Sequence, residues 1–245
     1  RQRAGVLDGA ERVFGLHTAY DLEAGTVGLK PGINNAAVDH FRIRVHGRST
    51  HVSTPHMGVD ALYIASQIVV AVQGLVTRRT SPTEPVIIGI GKLNAGTTYN
   101  AVAAFAEMEG TTRTISQESR DRVRAQVSET AQSIAALYGG TAEIEWTDFA
   151  AALVNDPQVC REAAEVVDEL LGAGHVVTDR ELSLSGDNFA EFELYKPGAY
   201  AYLGTGNPDL PHTMITNHNG GFDVDENALV TGAGLYVGYT VARLG

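Results

Sequence analysis

Three of the eight histidines stand where an imidazole could do chemistry: His17, His51 and His218. The pattern predicts that His17 ends a buried strand, and open α/β sheets bind their ligands at such ends. His51 lies in a loop between a predicted strand and a predicted helix, and His218 lies in a polar, glycine-rich turn before a helix. Imidazole is the commonest protein metal ligand and a frequent acid or base. The residues alone therefore indicate two metal-type histidines, His17 and His218, and one histidine on a functional loop.

The other five histidines are interpreted structurally. A lone histidine is more often a surface or hydrogen-bonded residue than a ligand, and nothing around these five indicates otherwise. They flank a predicted strand, follow a proline near a helix start, or lie in predicted surface loops; they are His40, His46, His56, His175 and His212.

The glycine-rich segment Gly89–Gly96 is expected to form a turn between two strands. Its spacing is not the dinucleotide-binding fingerprint, and no helix follows it directly. The sequence also contains no serine nucleophile elbow, no P-loop and no Cys-x-x-Cys motif. Spacing by itself leads no further than a two-domain α/β chain with candidate metal-binding histidines.

Composition excludes several classes of function. The 245 residues carry a formal net charge of −11, which disfavours binding to nucleic acid, because phosphate backbones would be repelled. No apolar run is expected to be long enough to span a membrane. The single cysteine, Cys160, excludes an intramolecular disulfide and agrees with a cytoplasmic location. The chain starts at Arg1 without a signal-peptide pattern, so targeting stays open.

Hydrophobic periodicity divides the chain into three zones. Residues 36–149 read as β-α-β-β-α-β, the split ferredoxin-like order, with strands in Val38–Val45, Pro85–Leu93, Ala101–Thr114 and Ala142–Phe149 and helices Asp60–Val76 and Gln117–Tyr138. Residues 1–35 contain two short strands, and residues 150–245 contain helices Pro157–Leu171 and Asn227–Leu244. Both flanking zones are too poor in strands to stand alone. We therefore expect residues 1–35 and 150–245 to form one domain into which residues 36–149 are inserted.

The chain resembles the aminoacylase/carboxypeptidase family of metallopeptidases, in its amidohydrolase branch that acts on N-acyl amino acids. The matching motifs occur in order from end to end: GLH at Gly15–His17, GTVGLKPG at Gly25–Gly32, the loop His51–His56, AGTTYN at Ala95–Asn100, EGTTRT at Glu109–Thr114, VNDP at Val154–Pro157, GDNFAEF at Gly186–Phe192, LGTGNP at Leu203–Pro208 and NHNGGFDVDENAL at Asn217–Leu229.

The resemblance implies an α/β metallopeptidase catalytic domain with an inserted ferredoxin-like lid that also forms a homodimer. It implies two divalent metal ions, Zn²⁺ or Mn²⁺ with Co²⁺ or Ni²⁺ as alternatives, and the metal ligands His17 and His218. His51 matches the lid histidine that reaches the substrate carbonyl in the partner subunit's site. Asn100, Arg113 and Gly206 match substrate-binding positions, with Arg113 suited to a carboxylate.

Several family features have no counterpart in this sequence. The remaining metal ligands and the general base lie upstream of GLH in the family, so the chain as given is expected to be inactive. Inside the chain, Asp187-Asn188 replaces the usual Glu-Asp, and Gly220-Gly221 replaces a proline. Ser49 and Thr50 replace glycines.

Two interpretations of function stay open. The first is a metal-dependent hydrolase of N-acyl amino acids or related small amides or dipeptides, with the N-terminal part absent from this sequence. The second is a non-catalytic fragment or relative that acts as a dimerisation or binding module. Keeping His17, His51, Asn100, Arg113 and His218 together favours the enzyme.

Overall fold

The computed structural model describes residues 5–244, so residues 1–4 and Gly245, at the two ends of the predicted catalytic domain, lie outside the described residues. Two compact units form. The first, here called the α/β unit, comprises the residues up to Asn35, Leu153–Ser183 and the residues from Asp187 onward. The second, here called the ferredoxin-like unit, comprises Ala36–Ala152 and Leu184–Gly186. Their assignment as catalytic domain and lid stays a prediction.

The regular elements are numbered in chain order. The strands are β1 Val13–Glu23, β2 Val27–Gly28, β3 Gly32–Asn35, β4 Ala37–His46, β5 Ile87–Ala95, β6 Phe105–Thr114, β7 Thr141–Ala150, β8 Leu153–Asn155, β9 Val176–Val177 and β10 Gly198–Gly206. The α-helices are α1 Ala61–Arg78, α2 Gln117–Leu137, α3 Pro157–Leu171, α4 Ala190–Glu193 and α5 Asn227–Leu244. Short 3₁₀ helices cover Pro55–Met57 and Pro211–Met214.

The α/β unit is built on a sheet of order β1-β10-β2-β9, in which β1 and β10 run parallel. Side chains alternate between the two faces of a strand. One face packs against α3 and α5 through a core that includes Ala201, Leu203, Val166 and Leu235. His17, on β1, therefore projects from the other face of the sheet.

The ferredoxin-like unit has the predicted β-α-β-β-α-β order. Its antiparallel sheet has the order β5-β6-β4-β7, and α1 and α2 cover one face. The alternation in β4 decides which face is covered, because Phe41, Ile43 and Val45 are fully buried. Burial of side chains of this size stabilises a fold by about 1.5–3 kcal/mol each.

Both helices of this unit begin at a capping side chain. Asp60 accepts hydrogen bonds from the backbone N–H groups of Leu62 and Tyr63 at the start of α1. Ser116 accepts one from Ser119 at the start of α2. These side chains satisfy donors that a helix leaves unpaired in its first turn.

Two expectations about this unit are wrong. Gly89–Gly96 is not a turn, because β5 runs through Ala95 and pairs with β6. A register shift between Ile90 and Lys92 puts a bulge at Gly91, where a glycine in a strand is well placed. Helix α1 also has the length and mean hydropathy, 1.3, of a membrane-crossing segment. Its buried residues pack in the core of the unit, which accounts for that composition.

Candidate functional site

His17 lies in the middle of β1, not at the end of a strand. The strand continues to Glu23 because β10 offers it a parallel partner beyond His17, through Thr18 opposite Leu203 and Ala19 opposite Gly204. His17 itself pairs with Tyr202. The side chain is half-buried on the face of the sheet that α3 and α5 leave uncovered.

One hydrogen bond fixes the tautomer of His17. Its Nδ1 lies 2.7 Å from the backbone oxygen of Thr18. A carbonyl oxygen can only accept, so Nδ1 carries a proton, and in the neutral ring the lone pair is therefore on Nε2. A neutral imidazole with a free Nε2 is the form that binds a metal, and a backbone carbonyl on the other nitrogen is the usual support.

Two tyrosines of β10 flank the His17 ring. The rings of Tyr200 and Tyr202 each lie 6.0 Å from it, centroid to centroid. The Tyr200 hydroxyl donates to Asp187 Oδ2 at 2.7 Å, and the Tyr202 hydroxyl donates to Asn35 Oδ1 at 2.7 Å. Burial, with the Asp187 hydrogen bond, raises the pKa of Tyr200, so this phenol stays a neutral donor. The alternation Tyr200-x-Tyr202 in β10 is the sequence signal that could have identified these two neighbours of His17.

His51 and Asn100 are brought together at one end of the ferredoxin-like unit. His51 forms an isolated antiparallel bridge with Ala101, and the Val52 N–H donates to the Asn100 backbone oxygen at 3.1 Å. The Asn100 side-chain Oδ1 accepts from the Thr98 hydroxyl at 3.1 Å. Within residues 5–244 no hydrogen bond from the Asn100 side-chain N–H groups is present, so both donors are available to a ligand.

His51 is held in the opposite tautomer to His17. The Ser53 backbone N–H donates to His51 Nδ1 at 3.2 Å, and the Ser53 hydroxyl lies 2.7 Å from the same atom. A backbone N–H can only donate, so Nδ1 accepts and the proton is on Nε2. His51 thus presents an exposed N–H donor, the form required for binding a carbonyl or oxyanion oxygen.

Arg113 lies at the opposite end of the same sheet. It pairs with Val38 near the start of β4, whereas Phe105, the first residue of β6, pairs with His46 at the end of β4. Eight residue steps along β6 separate Phe105 from Arg113, which is roughly 26 Å. The loops that carry His51 continue the pairing beyond Phe105. Within one ferredoxin-like unit, Arg113 is therefore too far from His51 and Asn100 for all three side chains to contact the same small molecule.

Gly206 ends β10 where a side chain cannot fit. A Cβ at this position would lie 2.3 Å from the Tyr20 backbone oxygen and 2.6 Å from Met214 Sδ. Its own backbone oxygen accepts from the Ala24 N–H at 2.8 Å. This close packing explains the glycine, and its role in substrate binding stays a prediction.

Four of the five remaining histidines have structural partners. His40 lies 3.1 Å from Glu109, His46 lies 3.8 Å from Glu143, and His212 lies 3.8 Å from Asp223. His175 Nδ1 is 2.7 Å from the Gly25 backbone oxygen. These contacts agree with the structural interpretation from the sequence.

Comparison with known proteins shows which family this chain resembles in sequence and structure. The model of the M20 peptidase dimerisation domain matches residues 36–138. A dinuclear metal binding peptidase from the M20 family of Bacillus subtilis has the same fold, with a TM-score of 0.79 and 31% identity. The match covers 99% of this chain and 60% of that one. Residues 36–138 thus match the dimerisation domain of M20 peptidases, and the chain as a whole is similar to an M20 peptidase.

Curated M20 relatives are similar over nearly the whole chain. An N-acetyl-L-cysteine deacetylase of Bacillus subtilis is 35% identical over 92% of this chain and 52% of its own length. Thermostable carboxypeptidase 1 of Saccharolobus solfataricus is 33% identical over 94% of this chain and 58% of its own length. The chain thus spans little more than half of the relatives it matches. The predicted α/β fold with an inserted ferredoxin-like domain is confirmed.

The described residues include side chains that could bind a metal ion, but too few of them lie together to complete a site. Within residues 5–244, no group of three or more His, Cys, Asp and Glu side chains is placed to hold a metal ion. His17 offers its Nε2, and His218 is exposed in its turn with φ of 63°. Such left-handed backbone at a non-glycine residue costs about 1 kcal/mol or more and often marks a functional position. A Zn²⁺ site usually needs three or four ligands.

The 245-residue chain is accordingly expected to bind divalent metal only weakly, because two histidines are fewer than the three or four ligands that such an ion usually needs. Isothermal titration with Zn²⁺ at neutral pH measures this. His17→Ala should abolish what binding there is, whereas His175→Ala should not, since the His175 ring is hydrogen-bonded to Gly25. Tight uptake of two metal ions per chain would contradict the expectation.

Proposed function

We propose that the whole protein is a metal-dependent hydrolase that cleaves the amide bond of N-acyl amino acids and works as a homodimer. The observation that best supports the proposal is that the ferredoxin-like unit carries two kinds of hydrogen-bond donor. His51 and Asn100 present N–H groups suited to a carbonyl oxygen, and Arg113 presents a cation suited to a carboxylate. The names of the M20 relatives, a deacetylase and a carboxypeptidase, support the same class of substrate.

Each of these side chains has a definite task in the proposed reaction. The His51 Nε2–H and the Asn100 amide donate to the carbonyl oxygen of the scissile amide and hold it as negative charge develops there. Donors already aimed at such an oxygen are worth about 2.7–4 kcal/mol in the transition state. Arg113 binds the free carboxylate of the amino acid and so fixes the position of the amide.

Two subunits are required to bring these groups to one substrate. An N-acyl amino acid is about two residues long, or roughly 7 Å when extended. The gap of roughly 26 Å between the two ends of one sheet exceeds this several-fold. His51 and Asn100 would therefore come from the partner subunit and Arg113 from the subunit that binds the substrate. A two-fold dimer makes both such sites equivalent.

Bound divalent metal, Zn²⁺ or Mn²⁺, would supply an activated water and polarise the carbonyl in this class of chemistry. His17 and His218 are the proposed ligands in this chain. The described residues do not complete a site, so the further ligands and the general base would come from other parts of the whole protein.

The proposal predicts that the enzyme distinguishes a free acid from its ester. Benzoylglycine should be hydrolysed with kcat/KM at least about 10-fold higher than its methyl ester, because the ester cannot pair with Arg113. Arg113→Lys should lower the value for the acid and leave the ester nearly unchanged, since lysine cannot reproduce the guanidinium geometry. Equal rates for acid and ester in the unaltered enzyme would show that carboxylate recognition is the wrong idea.

The second candidate is a non-catalytic dimerisation module. What favours it is that the described residues hold no cluster of three metal-binding side chains. A whole protein that dimerises, but neither binds divalent metal nor cleaves any N-acyl amino acid, would support this alternative over the enzyme.

A further inference from the structure

Three protein acceptors surround the Arg113 guanidinium. The Nε–H donates to the Leu184 backbone oxygen at 3.0 Å. Nη1 donates to the Thr112 backbone oxygen at 3.0 Å and to the Thr111 hydroxyl oxygen. All five guanidinium hydrogens are donors, and these contacts use three of them. Among the described residues Nη2 makes no hydrogen bond, so this nitrogen is the one available to a ligand.

The Thr111 hydroxyl is in turn held in one orientation. Its Oγ1–H donates to the Asp39 backbone oxygen at 2.7 Å across β4 and β6. The proton of the hydroxyl is therefore used, and a lone pair faces Arg113. Asp39 is itself held in place, because its carboxylate accepts one hydrogen bond from Arg120 Nε at 2.9 Å and another from Arg120 Nη2 at 2.5 Å. Thr111 thus links the buried Asp39, which is held by Arg120, to the half-buried guanidinium of Arg113.

We propose that Thr111 is a positioning residue, which turns the Arg113 guanidinium so that Nη2 donates to the carboxylate of an N-acyl amino acid. The inference rests on the proposed function of Arg113. Thr111 has the strongest claim among the three acceptors because it alone is a side chain. The Thr112 and Leu184 contacts come from backbone oxygens and do not depend on residue type.

The test compares variants at two threonines of the whole enzyme. Thr111→Val keeps the branched shape and removes the hydroxyl, Thr111→Ser keeps the hydroxyl, and Thr111→Ala serves if valine is not accommodated. Thr147→Val is the matched control, because Thr147 pairs with His40 from β7 as Thr111 does from β6 and has no contact with Arg113. KM and kcat are measured for benzoylglycine and its methyl ester, with the unfolding temperature of each variant.

Loss of a hydrogen bond to a charged group should raise KM for the acid by about 10-fold in Thr111→Val, with kcat nearly unchanged. The preference for acid over ester should fall by the same factor, and Thr111→Ser should restore it. Unchanged preference in Thr111→Val, or an equal loss for acid and ester, would overturn the inference and leave carboxylate recognition standing. If the unaltered enzyme itself shows no preference for the acid, the proposed role of Arg113 fails, and the inference fails with it.

Discussion

Replacing Asp39 with alanine is expected to lower the free energy of unfolding of the ferredoxin-like unit by about 3–5 kcal/mol, since the buried Arg120 guanidinium would lose the buried carboxylate that it contacts through two of its nitrogens. The Asp39 and Arg120 side chains are 1% and 5% exposed. They connect β4 to α2 through a two-point contact in the covered part of the sheet. Urea unfolding followed by the fluorescence of Trp146, which lies on β7 of the same unit, would report the loss.

A matched control is available on the open face of the same sheet. Glu145 pairs with Arg44 at 2.7 Å, but the Glu145 side chain is 60% exposed. Exposed ion pairs contribute about 0–1 kcal/mol, so Glu145→Ala should change the unfolding midpoint little. Comparable losses in Asp39→Ala and Glu145→Ala would mean that burial of the Asp39–Arg120 pair does not matter for stability.

Local patterns in the sequence were enough to predict most of the ferredoxin-like unit. The alternation Phe41-x-Ile43-x-Val45 fixes the buried face of β4, and Asp60 and Ser116 cap the helices that cover it. Each signal lies within a few residues of the element it predicts. Because burial and capping act locally, such elements are readable without a structure.

Features that depend on pairing with residues distant in sequence could not be predicted. The sequence did not predict strands β3 and β8, because each has four residues or fewer and pairs with the other across a long stretch of sequence. The extension of β1 past His17 needs β10, and the strand through Gly89–Gly96 needs β6. In all these places tertiary pairing overrides a weak local preference.

The candidate site was predictable in residue type but not in geometry. The family resemblance implied Asn100 and Arg113 beside His51, yet not that His51 and Asn100 share one end of a sheet and Arg113 lies at the other. The tautomers of His17 and His51 depend on Thr18 and Ser53 contacts that no spacing rule specifies. The orientation of Arg113 depends on Leu184, which lies 71 residues away in sequence.

Loss of activity on substitution of His51 is the other large effect expected. His51→Ala in the whole enzyme should lower kcat by about 100-fold or more, because the carbonyl oxygen loses a donor in the transition state. Arg113→Ala should be similarly impaired through loss of the carboxylate contact. Each variant keeps the group that the other lacks, so the two can be tested in one mixed dimer.

Mixing these two inactive variants tests the shared site most directly. In a mixed dimer, one site combines an intact Arg113 in the substrate-binding subunit with an intact His51 from its partner. Half of the dimers are mixed at equilibrium and each has one complete site, so we expect recovery to about a quarter of the unaltered activity. His51→Ala mixed with Asn100→Ala should recover nothing, because both groups enter a site from the same subunit. Recovery in this second mixture, or none in the first with subunit exchange confirmed by differently tagged chains, would contradict the account.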